Sequence, residues 1–238
     1  MNLQVSMPYE PCIFKCPFCI ARGHEHEYKF KNLYKTDYFK YLIELQNVIM
    51  NNDYNAVVFT GEADPSQNLS WVGSCLEAVN TLKKYYAYAH VKTELQTKNQ
   101  RADYSLLEGL DVLSISVSNL TEFESAKELV SKYPQFLVRI VVILSSAFNG
   151  KTNVSHMDLT PFKQVTFKEL QWTEDPKVND WIGEHQFKGR DDLKDLIFAF
   201  KDTVSIVYDF DCQNGSNRYH IYRSDGNVYK TWEEFPKE

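Results

Sequence analysis

The sequence alternates between short apolar runs and segments with helical periodicity from its first residues to about Trp172. Strands that alternate this regularly with helices predict βαβ units and parallel strands, because a parallel pair needs a crossover connection that is usually a helix. The predicted strands are about 2–7, 56–60, 90–97, 112–118, 136–144 and 165–172.

Helix signals lie between these strands. Asp37 is a predicted N-cap, because apolar residues recur at helical spacing from there to about Asn51. Thr121 and Glu124 form a capping-box pattern that predicts a helix to Tyr133. The remaining predicted helices are about 69–86 and a short one near 104–107.

Two α/β architectures are compatible with this order, a partial (β/α)6 barrel of the TIM type and a doubly wound open sheet. After Trp172 the rhythm changes to a helix at about 191–200, a strand at 205–210 and a hairpin with Asp225-Gly226 at its turn. We predict a single domain over 1–238, with a core barrel over about 1–172. The remainder, about 173–238, forms a C-terminal helix and β-hairpin extension that covers part of the barrel.

Composition narrows the classes of function. The chain of 238 residues carries a net charge of −6 and no basic stripe, which argues against a nucleic-acid substrate. We also expect no membrane span and no signal peptide, since no apolar stretch has the required length. Clustered cysteines without an export signal predict a reducing, cytoplasmic location.

Cys12, Cys16 and Cys19 follow the first predicted strand in a C-x3-C-x2-C spacing. A parallel barrel places its chemistry at the C-terminal ends of its strands, which is where this loop lies. Three thiolates can hold three irons of a [4Fe–4S] cluster and leave the fourth iron open. They can also form most of a zinc site in a non-enzymatic module. The candidate fourth zinc ligands are His24, His26, Cys75 and Cys212.

The cysteine spacing, with the aromatic Phe18 just before Cys19, resembles that of the radical S-adenosylmethionine (radical SAM) superfamily. The resemblance implies an enzyme with the partial barrel fold, a [4Fe–4S] cluster and S-adenosylmethionine (AdoMet) at its open iron. An electron from a flavodoxin- or ferredoxin-type donor then cleaves AdoMet reductively. The resulting 5′-deoxyadenosyl radical abstracts a hydrogen atom from the substrate.

The resemblance also implies cofactor contacts. Phe18 matches a position near the adenine, and Gln96 matches one that faces the cofactor. Thr60-Gly61-Glu62 resembles a Gly-Gly-Glu motif that binds the amino group of AdoMet, with threonine in place of the first glycine. Ser116-Val117-Ser118 resembles a Ser-x-Asp stretch that contacts the ribose, with serine in place of aspartate.

Two strands place polar side chains among apolar ones. Ser114, Ser116 and Ser118 alternate with aliphatic residues, so they share one face, either facing a ligand in the lumen or belonging to a solvated edge strand. Arg139 lies in an apolar strand and needs a partner. By resemblance that partner is the cofactor carboxylate, and the alternative is a buried ion pair. The acidic candidates are Glu94 on the third strand and Glu169, which with Gln171 is expected to face the lumen.

The predicted substrate is a small molecule, for example a nucleotide or deazapurine-like compound. The alternatives are installation of a glycyl radical on a partner enzyme and modification of a peptide. Cys212, near the end of the seventh predicted strand, is the one candidate catalytic residue, as a thiol that donates hydrogen to a radical.

Overall fold

A computed structural model describes residues 1–19, 21, 27–150, 153–170, 172–173, 175–209 and 219–234. These residues form one nine-stranded sheet. The strands are β1 (Asn2–Ser6), β2 (Ala56–Thr60), β3 (Lys92–Thr97), β4 (Val112–Val117), β5 (Leu137–Leu144), β6 (Gln164–Glu169), β7 (Ser205–Asp209), β8 (Tyr219–Tyr222) and β9 (Val228–Tyr229). Their order across the sheet is β7-β6-β5-β4-β3-β2-β1-β8-β9.

Helices connect most of the parallel strands. They are α1 (Leu33–Thr36), α2 (Tyr38–Met50), α3 (Leu69–Tyr85), α4 (Leu120–Lys132), α5 (Pro176–Glu184) and α6 (Arg190–Phe200). None of the helices in the described ranges combines the length and apolar character needed to cross a membrane.

The α/β fold class is confirmed, with β1 to β7 pairing in parallel in chain order. One face of each strand from β1 to β7 packs into the main hydrophobic core. On β4, for example, Leu113, Ile115 and Val117 are fully buried there. The opposite face of β4 carries the serines Ser114 and Ser116, so the alternation in this strand separates core from lumen.

The C-terminal segment differs from the prediction in its position. It extends both edges of the sheet, because β7 continues the parallel order beyond β6 and the β8–β9 hairpin joins the other edge. There β8 runs parallel to β1, with Asn2 opposite Tyr219. The physical reason is that β1 would otherwise present a row of unpaired backbone groups, which β8 satisfies.

Helix starts agree with the sequence in one case and differ in another. The Asp37 carboxylate accepts a hydrogen bond from Lys40 N, which confirms it as the N-cap of α2. The start of α4 is two residues earlier than predicted, because Asn119 rather than Thr121 is the N-cap. The predicted helix near 104–107 is a pair of turns.

Buried tyrosines predict a loss of stability at alkaline pH. Tyr54 is 1% exposed and its hydroxyl lies 2.8 Å from Nδ1 of His220 on β8. Burial raises the pKa of Tyr54 from 10.0 to about 12. The stability that depends on its protonated form is therefore complete below pH 10 and lost as the pH rises towards 12. Urea unfolding across this range should show a smaller fall in unfolding free energy for Tyr54→Phe than for the wild type.

Tyr85 provides the control, because its side chain is 67% exposed. Tyr85→Phe should retain the pH dependence of the wild type. Identical curves for Tyr54→Phe and the wild type would show that Tyr54 does not link protonation to folding.

Candidate active site

The C-terminal ends of neighbouring parallel strands bring four segments of the chain together. The cysteine loop follows β1, Gly61 and Glu62 follow β2, Lys98 follows β3 and Ser118 follows β4. Cys12, Cys16 and Cys19 are free thiols, each partly buried. Segments that lie up to about a hundred residues apart in the sequence are thus brought to one edge of the sheet, as expected for parallel strands.

Gln67 fastens the cysteine loop to the turn that precedes α3. Its Nε2 donates to the carbonyl of Pro11 at 2.9 Å, and its Oε1 accepts from Ile13 N at 2.8 Å. The two bonds bracket Cys12, which packs against the main core. Sequence reasoning missed Gln67, because nothing in its local pattern distinguishes it from a surface glutamine.

Burial and nearby charges together set the pKa of the Cys16 thiol. Burial raises its pKa, Lys98 lowers it, and Cys19, Cys12 and Glu122 raise it. The ammonium of Lys98 is therefore the group beside the cysteine loop that favours thiolate over thiol. Sequence reasoning missed this lysine as well, since it lies beyond the end of β3.

Lys98 also connects β3 to the start of α4. Its Nζ donates to Ser118 Oγ at 2.8 Å and to Glu122 Oε2 at 2.6 Å. The same carboxylate oxygen accepts from Ser118 N at 2.7 Å. Burial pushes the pKa of Glu122 up, but the bonds from Lys98 and Ser118 outweigh it and hold that pKa below its ordinary value.

Asp64 joins the ends of β2 and β3. One carboxylate oxygen caps the 3-10 turn Pro65–Asn68 through Ser66 N at 3.0 Å and also accepts from Thr97 Oγ1 at 2.7 Å. The other accepts from Lys98 N at 2.7 Å. Asp64 is thus a structural junction between these two strand ends.

Close approach of two backbones explains the glycine of the Thr60-Gly61-Glu62 segment. Met7 N donates to Thr60 O at 2.8 Å, which continues the pairing of β1 with β2. A Cβ at Gly61 would lie 3.0 Å from Met7 N, and Gly61 has a φ of 157°. Next to it, Glu62 Oε1 lies 3.8 Å from Nη1 of Arg223.

The serines of β4 lie on the face opposite its core residues, as predicted. Ser114 is 1% exposed, and its buried Oγ has no hydrogen-bond partner among the described residues. The alternative of a solvated edge strand is wrong, because β4 lies between β3 and β5. Ser116 is partly buried on the same face.

Arg139 forms the ion pair that the sequence offered as one alternative. Its Nη1 donates to Glu94 Oε2 at 2.7 Å and its Nε donates to Gln164 Oε1 at 2.9 Å. Gln96 donates to the other oxygen of Glu94 at 3.1 Å. Side chains from β3, β5 and β6 thus share one polar network in the lumen, which passes over β4.

The prediction that Glu169 faces the lumen is wrong. Glu169 lies on the same face of β6 as the buried Val165 and Phe167, and it pairs with Arg190 at 3.0 Å. Strand alternation fixes this face, and β6 ends at Glu169 itself.

Phe18 contacts an aromatic group that sequence reasoning did not select. Its ring lies 5.6 Å from that of Trp181 on α5. Trp181 in turn stacks on His185, with ring centroids 4.1 Å apart. The contact ties the cysteine loop to the segment that follows β6.

Three free thiols in one loop match the donor set that a [4Fe–4S] cluster with one open iron takes from a protein. Within the described ranges, no group of three His, Cys, Asp or Glu side chains is arranged to hold a single metal ion. A [4Fe–4S] cluster does not need such convergence, because each thiolate binds a different iron. Four predicted candidates, Cys212, His24, His26 and Gln171, lie outside the described residues.

Comparison with known proteins identifies the fold. No protein-family model and no curated sequence matches the chain. The solved structure of anSMEcpe with bound AdoMet and the Kp18Cys peptide matches with a TM-score of 0.63 and 17% identity. The match covers 98% of this chain and 75% of anSMEcpe. SuiB from Streptococcus suis bound to S-adenosylmethionine matches with a TM-score of 0.65 and 12% identity. It covers 97% of this chain and 60% of SuiB.

A third match is to HemN, the coproporphyrinogen III oxidase from Escherichia coli, described as a radical SAM enzyme, with a TM-score of 0.50 and 13% identity. It covers 85% of this chain and 52% of HemN. The chain has the radical SAM fold. The fold that the strand and helix order predicts, and that the resemblance implies, is thereby confirmed. In the radical SAM fold of this chain, the cysteine loop occupies the end of β1.

The contact at Gly61 predicts a specific loss of stability. Gly61→Ala places a methyl group against Met7 N, so the ends of β1 and β2 must separate. We expect the free energy of unfolding to fall by about 1–3 kcal/mol, measured by urea denaturation.

Gly73 in α3 is the matched control, since a Cβ there meets nothing within 4 Å. Gly73→Ala should raise the unfolding free energy by about 0.5–1 kcal/mol through its helix propensity. A Gly61→Ala protein as stable as the wild type would contradict the close approach.

Proposed function

We propose that this protein is a radical SAM enzyme in which Cys12, Cys16 and Cys19 hold a [4Fe–4S] cluster. The observation that carries the proposal is the position of three free thiols in one loop at the C-terminal end of β1, in a chain with the radical SAM fold. When bound, the cluster supplies the electron that cleaves AdoMet to methionine and a hydrogen-abstracting 5′-deoxyadenosyl radical.

The remaining residues bind and orient. Phe18, held by Trp181, contacts the adenine of AdoMet. Glu62 and the backbone at Gly61 accept hydrogen bonds from its amino group. Ser116 and Ser118, at the end of β4, bind its ribose. The chemistry of each group matches its proposed contact, since carboxylates accept from an ammonium and hydroxyls bond a ribose.

Two cations, Arg139 and Lys98, are available for the cofactor carboxylate. Arg139 and the neutral Gln96 both belong to the proposed set of cofactor-binding residues, but the guanidinium of Arg139 is already held by Glu94 and Gln164. Lys98 joins them, because it is the ammonium whose field reaches Cys16. In both cases a carboxylate ligand would share or displace a glutamate partner.

The proposed substrate is a small polar molecule that loses a hydrogen atom to the radical. The polar network of Glu94, Gln96, Arg139 and Gln164 and the unpartnered hydroxyl of Ser114 support it, since a purely structural lumen is filled by apolar side chains. A peptide is the second candidate, favoured by the structures of anSMEcpe with a peptide and of SuiB with its precursor peptide SuiA. A flavodoxin- or ferredoxin-type donor in the cytoplasm is the proposed electron source.

Iron content and AdoMet cleavage test the activity. Anaerobically reconstituted protein should hold about four irons per chain. With dithionite and AdoMet it should release 5′-deoxyadenosine, measured by liquid chromatography. Cys16→Ala should abolish the product, because the cluster loses one of its three thiolates.

Cys75→Ala is the matched control, because Cys75 is a free cysteine fully buried in the core. It should retain both iron and product formation. A colourless wild-type protein with one zinc per chain, or one that releases no 5′-deoxyadenosine, would refute the enzyme and favour the zinc module.

Deuterium transfer separates the two substrate classes. Extract from cells grown in a deuterated medium is divided by ultrafiltration into small molecules and macromolecules, and each is added to the reaction. Since the abstracted atom ends in 5′-deoxyadenosine, mass spectrometry should find deuterium with the small-molecule fraction. Deuterium only with the macromolecular fraction would favour a peptide or protein substrate.

A further inference from the structure

Arg223 is a buried arginine that the proposed function leaves without a role. It follows β8 directly, and its side chain is 0% exposed. Because β8 runs parallel to β1, its C-terminal end lies at the same edge of the sheet as the cysteine loop. The C-terminal hairpin thus delivers a cation to the edge where the cofactor is proposed to bind.

An aromatic cage holds the guanidinium in place. Its carbon lies 4.4 Å from the ring centroid of Phe30, 4.9 Å from that of Trp232 and 5.7 Å from that of Tyr229. Nη2 also donates to the carbonyl of Trp232. These contacts fix the direction of the side chain, but a buried charge also needs a charged partner.

Glu62 supplies that negative charge. Its Oε1 lies 3.8 Å from Nη1 of Arg223, and its side chain is 9% exposed. This distance is longer than a hydrogen bond, so the pair attracts through charge without joining the two groups directly. Glu62 follows Gly61, whose backbone is fixed by its contact with Met7.

We propose that Arg223 is a positioning residue for Glu62. By attracting one carboxylate oxygen of Glu62, Arg223 orients the Glu62 side chain so that it can accept a hydrogen bond from the amino group of AdoMet. The inference rests on the proposed function and adds the C-terminal hairpin to the cofactor site. A glutamate side chain has several rotamers, and a fixed cation beside it reduces the number that are populated before the cofactor binds.

The test measures recognition of the amino group in the cluster-loaded protein. Equilibrium dialysis gives the dissociation constants of AdoMet and of its deamino analogue, in which hydrogen replaces the amine. The ratio of the two constants should favour AdoMet in the wild type. Glu62→Gln and Arg223→Met should each reduce this preference about tenfold, the scale of coupling between groups in contact. The double variant should lose little more than either single one.

Phe30→Leu is the control for a purely structural role. It weakens the cage but keeps the guanidinium, so it should lower thermal stability and leave the preference for AdoMet intact. If Arg223→Met does not fold, Arg223→Gln takes its place, because the amide can still donate to the carbonyl of Trp232. A wild-type preference in the folded Arg223 variant would overturn the inference and make Arg223 only an anchor for the hairpin.

The wild type separates this inference from the function on which it rests. If the wild-type protein holds no cluster or does not bind AdoMet, both are refuted. If it binds AdoMet with an amino-group preference that is independent of Arg223, only the positioning role fails.

Discussion

The pairing of β1 with β2 is the constraint on which the site depends. It continues past both strands through the bond from Met7 N to Thr60 O, and the missing side chain of Gly61 lets the backbones approach. The cysteine loop leaves from one of these strands and Glu62 from the other. Gln67 then fixes the loop at its outer side. A rigid origin for both segments allows a loop without regular structure to present three thiols together.

Paired charges are the second organising feature. Lys98 with Glu122, Arg139 with Glu94, and Arg223 with Glu62 lie at the C-terminal edge or within the lumen. Each pair joins two different segments of the chain, so each fixes a tertiary relation as well as compensating a charge. A ligand with both an ammonium and a carboxylate can exchange with such pairs without leaving a buried charge alone.

Much of the fold was readable from local pattern. The alternation in β4 predicted which of its side chains reach the core, and Asp37 was recognised as a cap because capping depends on residues close in sequence. The start of α4 differs from the prediction because Asn119 and Thr121 are both good N-cap residues, and in the folded chain Asn119 Oδ1 accepts the hydrogen bond from Glu122 N. Glu169 lies on the core face of β6 and not in the lumen, and the alternation of its own strand is sufficient to predict this.

Periodicity and spacing along the chain are sufficient to predict the α/β class, the core face of β4 and the three cysteines at the end of β1. The folded chain is needed to see that Lys98 lies beside Cys16, that Glu94 and not Glu169 pairs with Arg139, and that Arg223 reaches Glu62. The physical reason is that these contacts join strands brought side by side by backbone hydrogen bonds. A single side chain carries no local signal of which distant residue will face it.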